Sequence, residues 1–473
     1  MKLTDLLKGI KCEVFGGKDI NISAVTPDSR RVKKNSLFVA VKGLNVDSHE
    51  FIDQVIEKGA AVVVGEVKPA ADWLGKITYV KVANSRKVLG CLAANWFGNP
   101  SRKLAVIGVT GTDGKTTTCN FIYSILNFSG HKTGLVTSIN AKIGDKSLDT
   151  GFHVTNPEQL ELQKILKLMV DAGCEFAAIE VTSHGLDQER VAGVGFKAGL
   201  ITNVTHEHLD YHKTYDSYLL TKAKLMTISD FVVLNKDDGS YRKLKKMAPA
   251  DHLIFSIHDN FLDKKTNEHL AQLFPGNYNV MNALGAAVLC RKFSILDENI
   301  NSGLRAIRKI PGRCEKVGNT RGIKLIVDFA HTPNGLKSVL AVLKASSQGK
   351  LVCVFGCAGE RDLLKRPLMG EISSKLADVT VLTAEDPRYE DVDRIIAQIK
   401  KGVNAKSKVI CIPERGEAVW YAINKVAKLG DTVVICGKGH EKSMAYKGIE
   451  YPWSDRKAVK LALEGKIFKV NHG

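Results

Sequence analysis

Short apolar runs and longer amphipathic stretches alternate along most of this chain. The runs Leu37-Phe38-Val39-Ala40-Val41 and Ala60-Ala61-Val62-Val63-Val64 predict buried strands, and the spacing of apolar positions over Phe51 to Lys58 and Ser85 to Trp96 predicts helices. Val106 to Val109 predicts another strand, which enters a Gly-rich turn and then a helix beginning near Lys115. Further apolar strands are expected at Phe176 to Val181 and from Leu200 onward, the latter leading into the polar segment that ends at His212. Residues 236–275 are polar and show neither period, whereas Gly276 opens a small-residue helix running to about Arg291.

Beyond Pro311-Gly312 the alternation is regular. Strands at Lys324 to Phe329, Leu351 to Phe355, Val379 to Thr383, Val409 to Ile412 and Thr432 to Cys436 are separated by helical patterns, which predicts a doubly wound sheet. Loop signals at Gly98-Asn99-Pro100-Ser101 and at Pro311-Gly312 divide the chain. The expected fold class is α/β with three domains. A small N-terminal α/β domain (residues 1–98) precedes a central parallel-sheet P-loop domain (99–310) and a C-terminal Rossmann-like, doubly wound domain (311–473).

Composition narrows the class. At 473 residues the chain is too long for one core, and no apolar run approaches the roughly 20 residues of a membrane span. Met1-Lys2-Leu3-Thr4-Asp5 has no signal-peptide character, so a cytoplasmic location is expected. Ten cysteines occur without a C-x-x-C pair, which reads as reduced, mostly buried thiols. The net charge of +18 is spread over the whole length with no basic arm or aromatic platform. That distribution favours polyanionic small molecules over nucleic acid; a P-loop ATPase that binds nucleic acid is the alternative it leaves open.

The strand ends carry the chemistry. Gly111-Thr112-Asp113-Gly114-Lys115-Thr116-Thr117 fits a Walker A loop, although Val109 stands where the first Gly of that pattern belongs. Its backbone N–H groups and helix N-terminus suit an anion, Lys115 adds a charge for the β/γ-phosphates, and Thr116 or Thr117 offers a hydroxyl to Mg²⁺. Glu180 closes an apolar strand, where a carboxylate can reach a nucleotide-bound metal. His206, His208 and His212 follow the next strand; without H-E-x-x-H spacing their oxygen-rich setting suits Mg²⁺ better than Zn²⁺. By local sequence alone Lys222 and Lys224 are ordinary lysines on an amphipathic helix. In the last domain Asp328, His331, Arg361, Glu385 to Arg388 and Gly437 to Glu441 sit at successive strand ends.

Taken together, T-G-T-D-G-K-T-T, E-V-T-S-H-G-L, H-E-H-L-D-Y-H, N-x-x-N at Asn279/Asn282, Gly312-Arg313, D-F-A-H-T-P, G-C-A-G-E-R-D with K-R-P, and G-K-G-H-E resemble the Mur ligase family, in family order across all three domains. Within it the chain is similar to the branch that adds the third residue of the peptidoglycan stem peptide. The resemblance implies an ATP-dependent ligase working through an acyl phosphate. Its small-molecule substrates would be UDP-MurNAc-L-Ala-D-Glu and a diamino acid. It implies ATP held by Gly111, Thr112, Asp113, Gly114, Lys115, Thr116 and Thr117, with Asn282, Arg313, Asp328 and His331 also at the nucleotide. Mg²⁺ would be ligated by Thr116, Glu180, His208 and Lys222 as a carbamate, and Lys115, Glu180, His208 and Lys222 would be the catalytic set. Ser29 with Leu44, Asn45 and Val46 would hold the uridine nucleotide. Thr155, Asn156, Thr182, Gln188 and Arg190 would hold the muramoyl-dipeptide. Arg361, Glu385, Asp386, Pro387, Arg388, Gly437 and Glu441 would form the amino-acid pocket. A monomer without nucleic-acid or membrane partners is expected.

Three departures from the family pattern stand out. Asp113 replaces the commoner Asn, which is tolerable if the carboxylate faces metal or solvent. The 236–275 stretch is shorter than the usual antiparallel insert. Glu385-Asp386-Pro387-Arg388 stands where the diaminopimelate-adding branch typically has Asp-Asn-Pro-Arg. Arg388 can pair with a second carboxylate, favouring meso-diaminopimelate; Asp386 could instead favour the ammonium of L-lysine, and that alternative stays open. Folylpolyglutamate synthetase shares the central and C-terminal logic but lacks a first domain of this kind.

Overall fold

The structure is a computed structural model and describes residues 1–43, 46–144, 146–148 and 155–470. β1 (Glu13–Phe15), β2 (Ala24–Thr26), β3 (Ser36–Val39), β4 (Ala60–Gly65) and β5 (Thr78–Lys81) form a sheet of order β1-β5-β4-β3-β2. It is parallel from β2 to β5, with β1 antiparallel at its edge. Alternate residues serve two cores: Leu37, Val39, Val62 and Val64 face Leu89 and Leu92, while Phe38, Val63 and Tyr79 face Ile52 and Val55. Burial on both faces is why these strands read as continuous apolar runs. The helix over Ser85–Trp96 matches its predicted span and is capped by the Asn84 side chain, which accepts from the Lys87 N–H at 2.8 Å.

β6 (Ala105–Thr110), β7 (Thr133–Val136), β8 (Ala141–Ile143), β9 (Lys146–Leu148), β10 (Phe176–Glu180), β11 (Phe196–Ile201), β12 (Ser229–Asn235) and β13 (Leu253–Phe255) form a second sheet of order β13-β12-β11-β6-β10-β7-β8-β9. The polar 236–275 stretch contains β13, parallel to β12, and the helix Lys264–Leu273. β11 ends at Ile201, and Thr202 and Asn203 then meet the Gly-rich loop. Asn203 C=O accepts from the Thr112 N–H at 2.9 Å, and Thr202 Oγ1 donates to the Asp113 carbonyl at 2.7 Å.

β14 (Glu315–Val317), β15 (Lys324–Asp328), β16 (Leu351–Phe355), β17 (Val379–Leu382), β18 (Lys408–Cys411) and β19 (Thr432–Cys436) make a third sheet of order β14-β15-β19-β16-β17-β18. Only β14 is antiparallel. Leu325 and Val327 enter the core on one face and Ile326 the core on the other, as a doubly wound sheet requires. β20 (Ser443–Tyr446) and β21 (Ile449–Pro452) form a separate hairpin.

The chain falls into two compact units. The first comprises Met1–Gly108, His131–Gly199 and Lys224–Phe231; the second comprises Val109–Gly130, Leu200–Ala223 and Val232–Gly473. Among the described residues no helix is long and apolar enough to cross a membrane.

Candidate active site

The second unit contains the Gly-rich loop and the whole third sheet. Gly111 has φ +149°, and a β-carbon there would fall 1.8 Å from Thr202 Oγ1. Gly114 (φ +84°) precedes the helix Lys115–Phe128, and its β-carbon would meet Asn282 Oδ1 at 2.2 Å. Only glycine permits this loop, whose N–H groups and helix N-terminus form a phosphate cradle. Asn282 therefore stands against the loop, and its amide donates to Asn279 Oδ1 at 3.4 Å. Thr112 is buried and Thr117 lies in the first turn of the helix, also buried.

Three cations converge on the loop. Lys115 Nζ donates to Thr112 C=O at 2.7 Å, Lys222 Nζ to Gly111 C=O at 2.6 Å, and Arg313 Nη2 to Thr116 Oγ1 at 2.8 Å. Lys222 is buried and lies 4.5 Å from the centroid of the Tyr218 ring, whose hydroxyl is 3.2 Å from Thr112 Oγ1. Tyr218 was not singled out by the sequence reading. Its position four residues before Lys222 on the helix Tyr215–Thr227 was the available signal, since such pairs share a face.

The half-buried Asp113 carboxylate is hydrogen-bonded within the protein. Its Oδ1 accepts from Thr332 Oγ1 at 3.0 Å and its Oδ2 from Asn334 Nδ2 at 2.8 Å. Both donors lie at the start of the helix Pro333–Ser346, where a negative charge is favoured.

Asp328, at the end of β15, accepts from the Cys314 N–H at 2.7 Å and the Ala330 N–H at 2.8 Å. It thereby fixes the turn that presents Arg313, whose guanidinium lies 4.6 Å from the Phe329 ring centroid. Burial raises the Asp328 carboxyl, against the pull of Arg313. His331 Nδ1 lies 2.9 Å from Phe329 C=O; burial, aided by Lys365, pushes its imidazole down to about 3, so it is neutral near pH 7.

His208 has a left-handed backbone (φ 56°), a half-buried ring, and Nδ1 4.0 Å from Glu207 Oε1. The sequence reading gave Glu207 no role, yet it forms a buried ion pair with Lys365 at 3.2 Å, with side chains 3% and 5% exposed. Lys365 Nζ also donates to His331 C=O at 3.0 Å. Burial opposes its charge, but Glu207 and Glu385 outweigh it and push Lys365 up to about 12. Both residues sit inside quoted motifs, H-E-H and K-R-P, which was the only signal.

The segment after β17 presents Glu385 to Arg388. Arg388 (φ 55°) donates its N–H to Ala445 C=O at 2.9 Å, so β20 holds the segment in place. Pro387 continues the segment, its C=O accepting from the Glu390 N–H at 2.9 Å. Asp386 is buried, both its oxygens lie 2.9 Å from Lys438 Nζ, and Oδ1 also accepts from the Ala445 N–H. Lys438 pairs as well with Glu441, three residues on. The Asp386 charge is thus paired with Lys438 within the protein. Arg361 and Arg388 differ: neither guanidinium donates a hydrogen bond among the described residues, and burial followed by the repulsion of Arg388 lowers Arg361. Glu385, beside Gly437, is buried with Oε2 lacking a hydrogen-bond donor among the described residues, and burial pushes it up to about 7.

This geometry predicts that Asp386→Asn acts on stability rather than on amino-acid choice. Losing a buried charge-assisted pair should cost about 1–3 kcal/mol in urea unfolding, since Glu441 still serves Lys438. If Asp386 received the substrate ammonium instead, the amino-acid KM would rise steeply while stability held.

In the first unit Glu180 ends β10, buried, with Oε2 accepting from the Ser138 N–H at 3.2 Å. Asn156 Nδ2 donates to Glu180 C=O at 2.7 Å, and Asn156 Oδ1 accepts from the Thr182 N–H and hydroxyl. Arg190 donates to Asn156 C=O at 2.9 Å and to Gln188 Oε1 at 3.1 Å. Four of the five residues expected at the dipeptide are therefore one hydrogen-bonded group; Thr155 is half-buried next to it in sequence. Half-buried Ser29 begins a 3-10 turn capped by Asp28, and Val46 is exposed. Leu44 and Asn45 lie outside the described residues. Among the described residues no cluster of three His, Cys, Asp or Glu side chains is arranged to hold a metal by itself.

Three family models match the chain: "Mur ligase family, catalytic domain" over residues 21–97, "Mur ligase middle domain" over 109–290 and "Mur ligase, glutamate ligase domain" over 312–439. A protein of Clostridium tetani, UDP-N-acetylmuramoyl-L-alanyl-D-glutamate--2,6-diaminopimelate ligase, is 39% identical, covering 98% of this chain and 99% of the relative. A solved structure of a ligase bearing the same name aligns with a TM-score of 0.65 at 26% identity, over 98% of this chain and 99% of its own. The MurF ligase of Thermotoga maritima in complex with ADP shares the fold, with a TM-score of 0.59 at 18% identity over 94% and 97% of the two chains.

Proposed function

The chain belongs to the Mur ligase family, and from that membership we propose that it joins meso-diaminopimelate to UDP-MurNAc-L-Ala-D-Glu. It is an ATP-dependent, amide-forming ligase of peptidoglycan synthesis with a three-domain α/β architecture. In the proposed reaction the γ-phosphoryl group of ATP passes to the terminal carboxylate of the dipeptide, giving an acyl phosphate and ADP. The incoming amine then attacks the acyl carbon; the C–N bond forms, inorganic phosphate leaves, and the amine's proton passes to solvent.

The loop's N–H groups, Lys115 and Arg313 meet the triphosphate, orienting it and spreading its charge. Asn282, Asp328 and neutral His331 position the nucleotide around them. Thr116, Glu180, His208 and Lys222 are the residues we assign to Mg²⁺, which when bound would offset repulsion between carboxylate and triphosphate. For Lys222 this requires Nζ to take up the carboxyl carbon of bicarbonate, forming a C–N bond and releasing water and a proton. The dipeptide is assigned to Thr155, Asn156, Thr182, Gln188 and Arg190, and the uridine nucleotide to Ser29 and residues 44–46. The domains are assigned as 1–98, 99–310 and 311–473, the protein as a cytoplasmic monomer.

One observation carries the amino acid. Asp386 is paired with Lys438, while Arg361 and Arg388 repel one another and neither guanidinium donates a hydrogen bond among the described residues. A second substrate carboxylate relieves that repulsion and can accept a bidentate pair; diaminopimelate has one and lysine does not. Phosphate release from ATP with UDP-MurNAc-L-Ala-D-Glu tests this directly. Release is expected with meso-diaminopimelate and not with L-lysine, and equal or faster release with lysine would reverse the assignment.

A further inference from the structure

We propose that Asp113 is a positioning residue through which docking of the C-terminal domain sets the phosphate-binding loop. The inference rests on the ligase reading. Asp113 is anchored on both sides. Its N–H donates to Asn203 Oδ1 at 3.0 Å, and its C=O accepts from Thr202 Oγ1 at 2.7 Å and Asn203 Nδ2 at 3.1 Å, so its backbone belongs rigidly to the loop. Its carboxylate belongs to the other side, accepting from Thr332 and Asn334.

Thr332 is itself committed. Its hydroxyl accepts from the Gly335 N–H at 2.9 Å as the N-cap of Pro333–Ser346, which leaves its proton for Asp113. Two donors from one helix start thus converge on one carboxylate, a pattern that a side-chain amide with a single acceptor oxygen cannot reproduce unchanged. The same helix start follows His331, whose carbonyl accepts from Lys365. Displacement of the helix would therefore pull on the loop residue two positions before Lys115. The functional consequence is coupling: the loop holds its phosphate-binding geometry when the domain bearing the amino-acid pocket is docked, and water is kept from the acyl phosphate at that stage.

A reciprocal swap tests the contact. Asn334→Asp places a second carboxylate against Asp113, whereas Asp113→Asn combined with Asn334→Asp restores the bond with donor and acceptor exchanged. Asn334→Asp alone should lower kcat/KM for the amino acid by about tenfold and raise phosphate released per amide formed by about twofold, because like charges break the docking. ATP affinity should fall with it by about threefold or more, and the double variant should return to within about threefold of wild type in both. Asn334→Leu, which removes the donor without adding charge, gives the same direction of change if Asn334→Asp fails to fold. Additive losses, with the double variant no better than Asn334→Asp, would overturn the proposal. Wild-type ligation is the control: its absence defeats the ligase reading and the proposal together, while its presence with an additive cycle defeats the proposal alone.

Discussion

Lys222→Ala is expected to lose about 10²–10³-fold in turnover, the range for removing one preorganised electrostatic group from an active site. The reasoning starts from burial. Lys222 is 1% exposed, donates to Gly111 C=O and lies against the Tyr218 ring, so its Nζ is held at the loop that takes the triphosphate. As a carbamate the same atom would carry oxygen ligands for Mg²⁺ instead of a positive charge, and alanine offers neither. Short-chain carboxylates added to the variant should restore part of the activity by supplying the missing oxygens. An independent measurement is a carbamate carbon resonance from ¹³C-bicarbonate, present in the wild type and absent from the variant. Full activity in Lys222→Ala, or no such resonance in the wild type, would remove this role.

The second large effect is on stability. Lys365→Met leaves the Glu207 carboxylate buried with no cation, and breaking a buried pair by removing one partner costs about 3–5 kcal/mol. Glu207 Oε2 already lacks a donor among the described residues, so the loss is not made up there. His331 C=O also loses its donor, and activity should fall with stability. Removing both charges should hurt less: Glu207→Gln with Lys365→Met is expected to recover much of the unfolding midpoint in urea. A single variant as stable as wild type, or a double variant worse than the single, would show that the pair contributes little.

Much of the architecture was legible without coordinates. The helix Ser85–Trp96 and the strands Leu351–Phe355 and Thr432–Cys436 occur where the pattern put them. Their signals are local: an Asn cap, apolar positions at helical spacing, and unbroken apolar runs where both sheet faces are covered. The Gly-rich loop was legible for a similar reason, since positive φ and close approach leave glycine as the sole choice at Gly111 and Gly114. The polar 236–275 stretch failed because β13 is a three-residue edge strand, too short for a period to register.

The charged residues of the site behaved differently. Sequence alone marked Asp113 and Asp386 as departures, the first tolerable if facing metal or solvent, the second leaving the ammonium of L-lysine open as an alternative. Their partners in the fold are distant in sequence: Thr332 and Asn334 lie 219 and 221 residues after Asp113, Lys438 lies 52 after Asp386, and Lys365 lies 158 after Glu207. Elements form from interactions within a few residues, so their types and the loop's chemistry are written in the local sequence. What a buried charge does depends on the nearest opposite charge or donor, because burial makes an unpaired charge costly. Only the packing of distant segments brings those partners to the same place.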